Sequence, residues 1–93
     1  MMVYVVVAYD IPSDKRRTRL AKTLLSYGER TQWSVFEARL TRAQYASMRR
    51  EIQQIVDTEE DVVTIYFLTS EAQKRTFRIG NVALPKMEEP DFV

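Results

Sequence analysis

Residues 2–10 read MVYVVVAYD, from Met2 to Asp10. The run is β-branched and aromatic, holds no turn signal, and closes on an acid, so it is a strand. Val3, Val5, Val7 and Tyr9 point to one face of it, and Tyr4, Val6, Ala8 and Asp10 to the other. Both faces are apolar until Asp10. Such a strand belongs in the middle of a sheet and is covered on both sides. Its carboxyl end brings an acid out beside a loop, because Ile11-Pro12-Ser13 follows at once and a helix starts there. Asp10 is therefore the first residue to consider for function.

The chain on either side supports this reading. Ser13 is a helix N-cap, with Asp14 in the first turn where the helix dipole favours negative charge. That helix is expected to run to about Tyr27, with Gly28 as its C′ residue. Leu20, Ala21, Leu24 and Leu25 make its buried stripe, and Lys15, Arg19 and Lys22 line another. Arg17 lies at the core-facing edge of the helix start, close to Asp10. Glu29 to Leu40 is strand-like without clean alternation, either two short strands or one broken near Ser34-Val35.

Thr41 to Gln44 fits a capping box. The helix after it buries Tyr45, Met48, Ile52, Ile55 and Val56. Asp57 to Asp61 is an acidic loop that lacks the spacing and glycine of a calcium-binding EF-hand. Val62 to Leu68, VVTIYFL, is a second strongly apolar strand. Thr69 to Lys74 reads as a polar connector, Arg75 to Ile79 as a short edge strand turned by Gly80-Asn81, and residues 85–93 as a tail, loose or docked on a partner subunit.

Ninety-three residues, 45% of them apolar, make one domain with a modest core. The order of elements predicts a ferredoxin-like βαββαβ sandwich, of α+β class, with an extra short C-terminal strand. Two helices cover only one face of such a sheet, yet both central strands are apolar on both faces. The second face requires a partner, and a second copy is the simplest one. The expectation is a two-fold homodimer with sheets face to face, or with the last strand and tail completing the other subunit's sheet.

Cysteine and histidine are both absent. That excludes thiol chemistry, thiolate and imidazole metal sites, and a histidine general base. Catalysis is left to carboxylates, hydroxyls, Lys, Arg or a metal held by oxygen. The N-terminus has no basic lead, and its apolar run is too short for a signal or a membrane span, so a cytoplasmic protein without a membrane partner is expected.

Net charge is only +1, but residues 13–50 hold ten Lys/Arg against three acids, while residues 51–93 hold four against nine. The split describes a basic surface for a polyanion and an acidic surface elsewhere, or a set of solvated helix faces. Phosphate contacts would fall to Arg16, Arg17, Arg19, Lys22 and Arg30. Mg²⁺ is commonly held by one or two carboxylates plus water and phosphate oxygens. Two Asp10 side chains meeting across a dimer axis would hold one such ion and support phosphodiester hydrolysis. Tyr9 and Ser34 would orient water or phosphate. Against this stands the simpler role of Asp10 as a residue that ends a strand and caps a turn.

VVAYDIPSDKRRTRLAKTLLSYG, then RTQWSVFEARLT, then DVVTIYFL, together resemble the small CRISPR-associated endonuclease family that partners the CRISPR integrase in spacer acquisition. The tyrosine-aspartate pair ending the first strand and the Q-x-S-V-F-E stretch from Gln32 to Glu37 carry the resemblance, which spans roughly residues 2–68. It implies a ferredoxin-like homodimer and a metal-dependent endonuclease acting on RNA or DNA in prokaryotic antiviral defence. It also implies Mg²⁺ at Asp10, with Ser34 and Phe36 in the matching motif. The family equally admits a non-catalytic dimer that presents its basic face to duplex DNA and its acidic face or tail to the integrase. Both readings need the arginines, and only the first needs Asp10.

Overall fold

A computed structural model of the chain describes residues 1–81. Strand β1 (Met2–Asp10) leads into helix α1 (Asp14–Leu25), then β2 (Glu29–Gln32), β3 (Val35–Thr41), α2 (Arg42–Ile55), β4 (Val62–Leu68) and a short α3 (Ser70–Arg75). The four strands form one antiparallel sheet in the order β2-β3-β1-β4. This is the expected ferredoxin-like α+β sandwich, with β1 central.

β1 is paired on both edges. Its ladder with β3 runs from Met2 opposite Thr41 to Ala8 opposite Val35, and its ladder with β4 from Tyr4 opposite Leu68 to Asp10 opposite Val62. Alternation then fixes the faces. Val5, Val7 and Tyr9 pack with Phe36, Ala38 and Leu40 of β3 under Leu20, Ala21 and Leu24 of α1 and Met48 and Ile52 of α2. Val5, Val7, Leu20 and Met48 are wholly buried. Burying each such side chain stabilises the fold by about 1.5–3 kcal/mol.

The helix starts behave as their sequences dictate. The Ser13 hydroxyl accepts the Arg16 N–H at 3.2 Å. Thr41 and Gln44 form a reciprocal capping box, at 3.1 and 2.8 Å. Residues 29–41 are two strands joined at Trp33-Ser34, with a register shift between Arg30 and Gln32. Among the described non-glycine residues none has a positive φ. The primed two-residue turns are therefore excluded, and the shift between Arg30 and Gln32 takes up the irregularity instead. That is why no Asn-Gly or Gly-Gly pair marks the hairpin.

Several expectations are corrected. Helix α1 stops at Leu25, and Leu25 is exposed rather than buried. Gly28 is not a left-handed cap, since Gly80 alone among the described residues has a positive φ. It is glycine because the chain there crosses β3 closely: a Cβ would lie 2.1 Å from the Glu37 carbonyl oxygen and 2.7 Å from the Ala38 Cβ.

The connector after β4 is helix α3, whose N-cap Thr69 accepts the Ala72 N–H at 3.0 Å. Glu71 in its first turn and Lys74 and Arg75 in its last suit the helix dipole. The edge strand expected at residues 75–79 does not form. A strand needs a neighbouring backbone, whereas Phe77 and Ile79 stand almost fully exposed and Arg78 reaches back to Glu37. The tail at residues 85–93 lies outside the described residues.

The close approach at Gly28 has a measurable consequence. Gly28→Ala is expected to lose about 2 kcal/mol, which lowers the melting temperature by roughly ten degrees. An unchanged melting temperature would refute the contact.

Candidate active site

Asp10 is the last residue of β1 and is exposed. Alternation puts it on the face away from α1 and α2, the face that also carries Tyr4, Val6 and Ala8. Its backbone is held by pairing with Val62. Among the described residues, no hydrogen bond or ion pair engages its carboxylate. A rigid central strand thus delivers an uncommitted carboxylate to the surface.

The hairpin tip is fastened beside it. Continued one step past Ala8 and Val35, the β1–β3 register sets Tyr9 opposite Ser34, and the Tyr9 N–H donates to the Ser34 carbonyl at 3.1 Å. The Tyr9 hydroxyl donates to the Trp33 carbonyl at 3.3 Å. The Tyr9 ring stacks on Phe36 with centroids 6.3 Å apart. Burial pushes the Tyr9 pKa up, against the smaller opposing pull of Arg30 and Arg17. Tyr9, neutral at physiological pH like any phenol and more so for its burial, holds the Trp33-Ser34 turn at the end of β1. Ser34 is brought to the site, and Phe36 packs in the core.

The five candidate phosphate contacts separate into four kinds. Arg19 and Lys22 are exposed on α1, on the stripe they share with Lys15. Arg17 turns back on the β1–α1 connection, donating to the Ile11 carbonyl at 2.7 Å and the Pro12 carbonyl at 3.3 Å and pairing with Asp14. Arg16 is bidentate on Asp61, at 2.8 and 3.0 Å, and reaches Glu60 at 3.2 Å.

Arg30 lies over the Trp33 ring, 4.7 Å from its centroid, and its burial lowers its pKa. The structure thus gathers Tyr9, Asp10, Ser34 and Arg30 at one end of the sheet. Arg16 anchors the acidic loop to α1.

Three contributors escape a reading of the sequence. Asp61 has a fully covered side chain that ties Arg16 to the Asp57 N–H, at 2.8 Å to each. Only its place at the end of an acid run, facing a basic helix start, hints at it. Glu37 sits on the open sheet face, where it accepts the Tyr4 hydroxyl at 2.9 Å and pairs with Arg78. Burial and the Glu37 bond raise the Tyr4 pKa. Trp33 gives no signal because a lone exposed aromatic has no periodic partner.

Among the described residues, no group of three or more acids stands ready to hold a metal ion. At the end of its central strand a single chain supplies one carboxylate without a partner among the described residues, Asp10. That suits Mg²⁺, which is content with one or two carboxylates and keeps its waters, and not an all-protein cage. Two copies of the same acid would complete the set. No helix among the described residues is long and apolar enough to cross a membrane.

Fold and site define a small ferredoxin-like domain with one exposed acid at the end of its central strand and a basic helix beside it. The chain matches the family of CRISPR associated protein Cas2 over residues 1–76 and belongs to it. It is 55% identical over 91 residues to a CRISPR-associated endoribonuclease Cas2 of Thermus thermophilus, covering 98% of this chain and 97% of that one. Among solved structures it is similar to Streptococcus pyogenes Cas2, with TM-score 0.74, 34% identity, and coverage of 86% of this chain and 100% of that one. It is also similar to a chain of a partial Cas6-RT-Cas1–Cas2 complex, with TM-score 0.74, 31% identity, and 83% and 90% of the two chains covered.

The Arg16–Asp61 bond carries a pH signature. The hydrogen bond from Arg16 holds the Asp61 carboxyl below its usual range, supported by the Asp57 N–H and against the smaller effect of desolvation. A group with a depressed folded-state pKa adds stability that is present above its unfolded value, about 4, and is lost as pH falls through the folded value. Asp61→Asn is expected to melt below wild type at neutral pH, and the gap is expected to narrow below about pH 4. Melting curves across pH check this; a constant gap would assign the loss to packing alone.

Proposed function

We propose that this chain is a metal-dependent endonuclease that works as a two-fold homodimer in CRISPR spacer acquisition, alongside the CRISPR integrase. One observation carries the reading: a rigid central strand presents an uncommitted Asp10 carboxylate on the sheet face that α1 and α2 leave uncovered. The endoribonuclease name of the Thermus relative and the Cas1–Cas2 complex that contains a similar chain support it.

A second copy on the open face would cover Tyr4, Val6, Ala8 and Tyr66 and bring two Asp10 side chains toward a common axis. Those two carboxylates would hold Mg²⁺. When bound, the ion supplies charge to neutralise the scissile phosphate and lowers the pKa of a water nucleophile. The chain's own residues do the rest. Tyr9 fixes the hairpin tip, with Ser34 opposite it, at the same end of the sheet as the acid. Exposed Arg19 and Lys22 attract the phosphate backbone without reading sequence. Arg17 holds the loop after Asp10 in place through the Ile11 and Pro12 carbonyls.

Asp10→Asn tests the site. The change keeps the shape and the capping capacity of the side chain and removes the charge that the metal needs. Mg²⁺-dependent cleavage of labelled RNA or duplex DNA is expected to fall by about a hundredfold or more. Nucleic-acid binding and melting temperature are expected to persist. Retained cleavage in a well-folded variant would leave the non-catalytic scaffold as the reading. Reversing Arg19 and Lys22 together is expected to weaken binding and flatten its salt dependence. Sedimentation at micromolar concentration is expected to show a dimer, and a monodisperse monomer would rule out the shared site.

A further inference from the structure

The backbone of Asp10 is held from one side. The β1–β3 ladder ends at Ala8 and Val35, whereas the β1–β4 ladder runs on to Asp10 opposite Val62. The strand partner of Asp10 is therefore the first residue of β4. Val62 is 60% exposed, so its own side chain does little to fix it. The start of β4 is fixed by the residues on either side of Val62. Val63 packs against the core, and before Val62 stands Asp61.

Asp61 is unusual for an acid in a surface turn. Its side chain is fully covered, and a carboxylate is rarely buried unless it is paired. It accepts two bonds from the Arg16 guanidinium, at 2.8 and 3.0 Å, and one from the Asp57 N–H at 2.8 Å. Arg16 also reaches Glu60, at 3.2 Å. Residues 57–61 hold four acids that repel one another, and Arg16 is paired with two of them. A guanidinium fork on a carboxylate fixes direction as well as distance. Arg16 in turn sits in the first turn of α1, with its N–H capped by Ser13. The chain from Asp10 to Arg16, the Arg16–Asp61 pair and the Val62–Asp10 pairing thus close a ring around the loop that follows the acid.

We infer that Asp61 is a positioning residue for Asp10: through Arg16 it bolts the start of β4 to the start of α1, and so fixes where the end of β1 stands and how well Asp10 holds a divalent ion. This rests on the nuclease reading for the ion, and not for the position of the strand end. Asp61 itself touches neither metal nor substrate. Groups behind a metal ligand set its affinity by holding it in place, and a carboxylate that shares an ion with a second copy of itself has little tolerance for movement.

The test reads metal binding and local opening. Full-length protein without nucleic acid is titrated with Mn²⁺, the free ion being followed by electron paramagnetic resonance, and amide exchange is followed by mass spectrometry. Asp61→Asn keeps the shape of the side chain and removes its charge. Arg16→Lys keeps a charge and loses the fork. Both are expected to weaken Mn²⁺ binding about tenfold. Both are expected to speed exchange in residues 9–12 and 60–63 and to leave residues 3–7 as slow as in wild type. In cleavage, Asp61→Asn is expected to lower kcat about tenfold without raising KM for nucleic acid. Gly28→Ala is the control, because it destabilises the fold at the β3 crossing. It is expected to keep wild-type Mn²⁺ affinity and wild-type exchange in residues 9–12.

Wild-type Mn²⁺ affinity and exchange in a folded Asp61→Asn protein overturn the inference. An equal loss in Gly28→Ala overturns it too, since the effect would then belong to global stability. If Asp61→Asn does not fold, Arg16→Lys decides by the same two readings. Asp10→Asn separates this inference from the nuclease reading. If it binds Mn²⁺ as tightly as wild type, the metal role of Asp10 fails, while fast exchange of residues 9–12 in Asp61→Asn still assigns the position of the strand end to Asp61.

Discussion

The structure depends on a central strand that is hydrogen-bonded along both edges and apolar on both faces. Pairing with β3 and β4 leaves β1 no freedom of register, because a slip of one residue would exchange Val5, Val7 and Tyr9 with Tyr4, Val6 and Ala8. Two helices then complete one face only. The position of Asp10 follows from the same constraint. It is the first even-numbered residue of β1 that is not apolar, and it falls where the strand emerges from the sheet. The acid is placed with the rigidity of the core and the exposure of a loop.

Charge alone describes this surface poorly. The basic stretch from residue 13 to residue 50 looks uniform in the sequence, but its arginines do different work. Arg16 is spent on a buried carboxylate and Arg17 on backbone carbonyls. Both hold the segments that flank the β1 end: the loop before β4 and the connection into α1. Arg19 and Lys22, one helical turn further on, face solvent. Part of the positive charge therefore builds the frame around the acid, and part remains for a polyanion.

The ferredoxin-like order, the central strand, both long helices, the capping box and the two-strand character of residues 29–41 were legible in the sequence. Each rests on periodicity or local capping over several residues. The exposed place of Asp10 at the strand end was legible as well, because an acid closing an apolar strand breaks the pattern at one point. What was not legible depends on contacts distant in the chain. Gly28 has the sequence context of a helix cap, and only the β3 backbone crossing it reveals its role. Asp61 is 45 residues from Arg16 and lies in a run of acids that all look solvated. Residues 75–79 have strand-like composition but no partner backbone among the described residues, and Arg78 turns to Glu37 instead. Trp33 has no periodic signature, and the hydrogen bond that the Tyr9 hydroxyl donates to its carbonyl joins residues 24 apart in the chain.

Tyr9 joins these observations. Adjacent residues on a strand point to opposite faces, so Tyr9 and Asp10 cannot share one environment. Tyr9 is buried against Phe36 under the helices, and Asp10 is exposed on the other side of the sheet. The conversion of that opposition into a site happens through the hairpin. The Tyr9 backbone and hydroxyl grip two successive carbonyls, at Ser34 and Trp33, and pull the β2–β3 tip to the level of Asp10. A neutral phenol is required for this, because an ionised one could not donate to the Trp33 carbonyl. A phenol is neutral at physiological pH at its ordinary value, and burial pushes the Tyr9 pKa further up. The tyrosine-aspartate pair divides its labour across the sheet: one residue organises the surroundings from inside, and the other offers its charge outside.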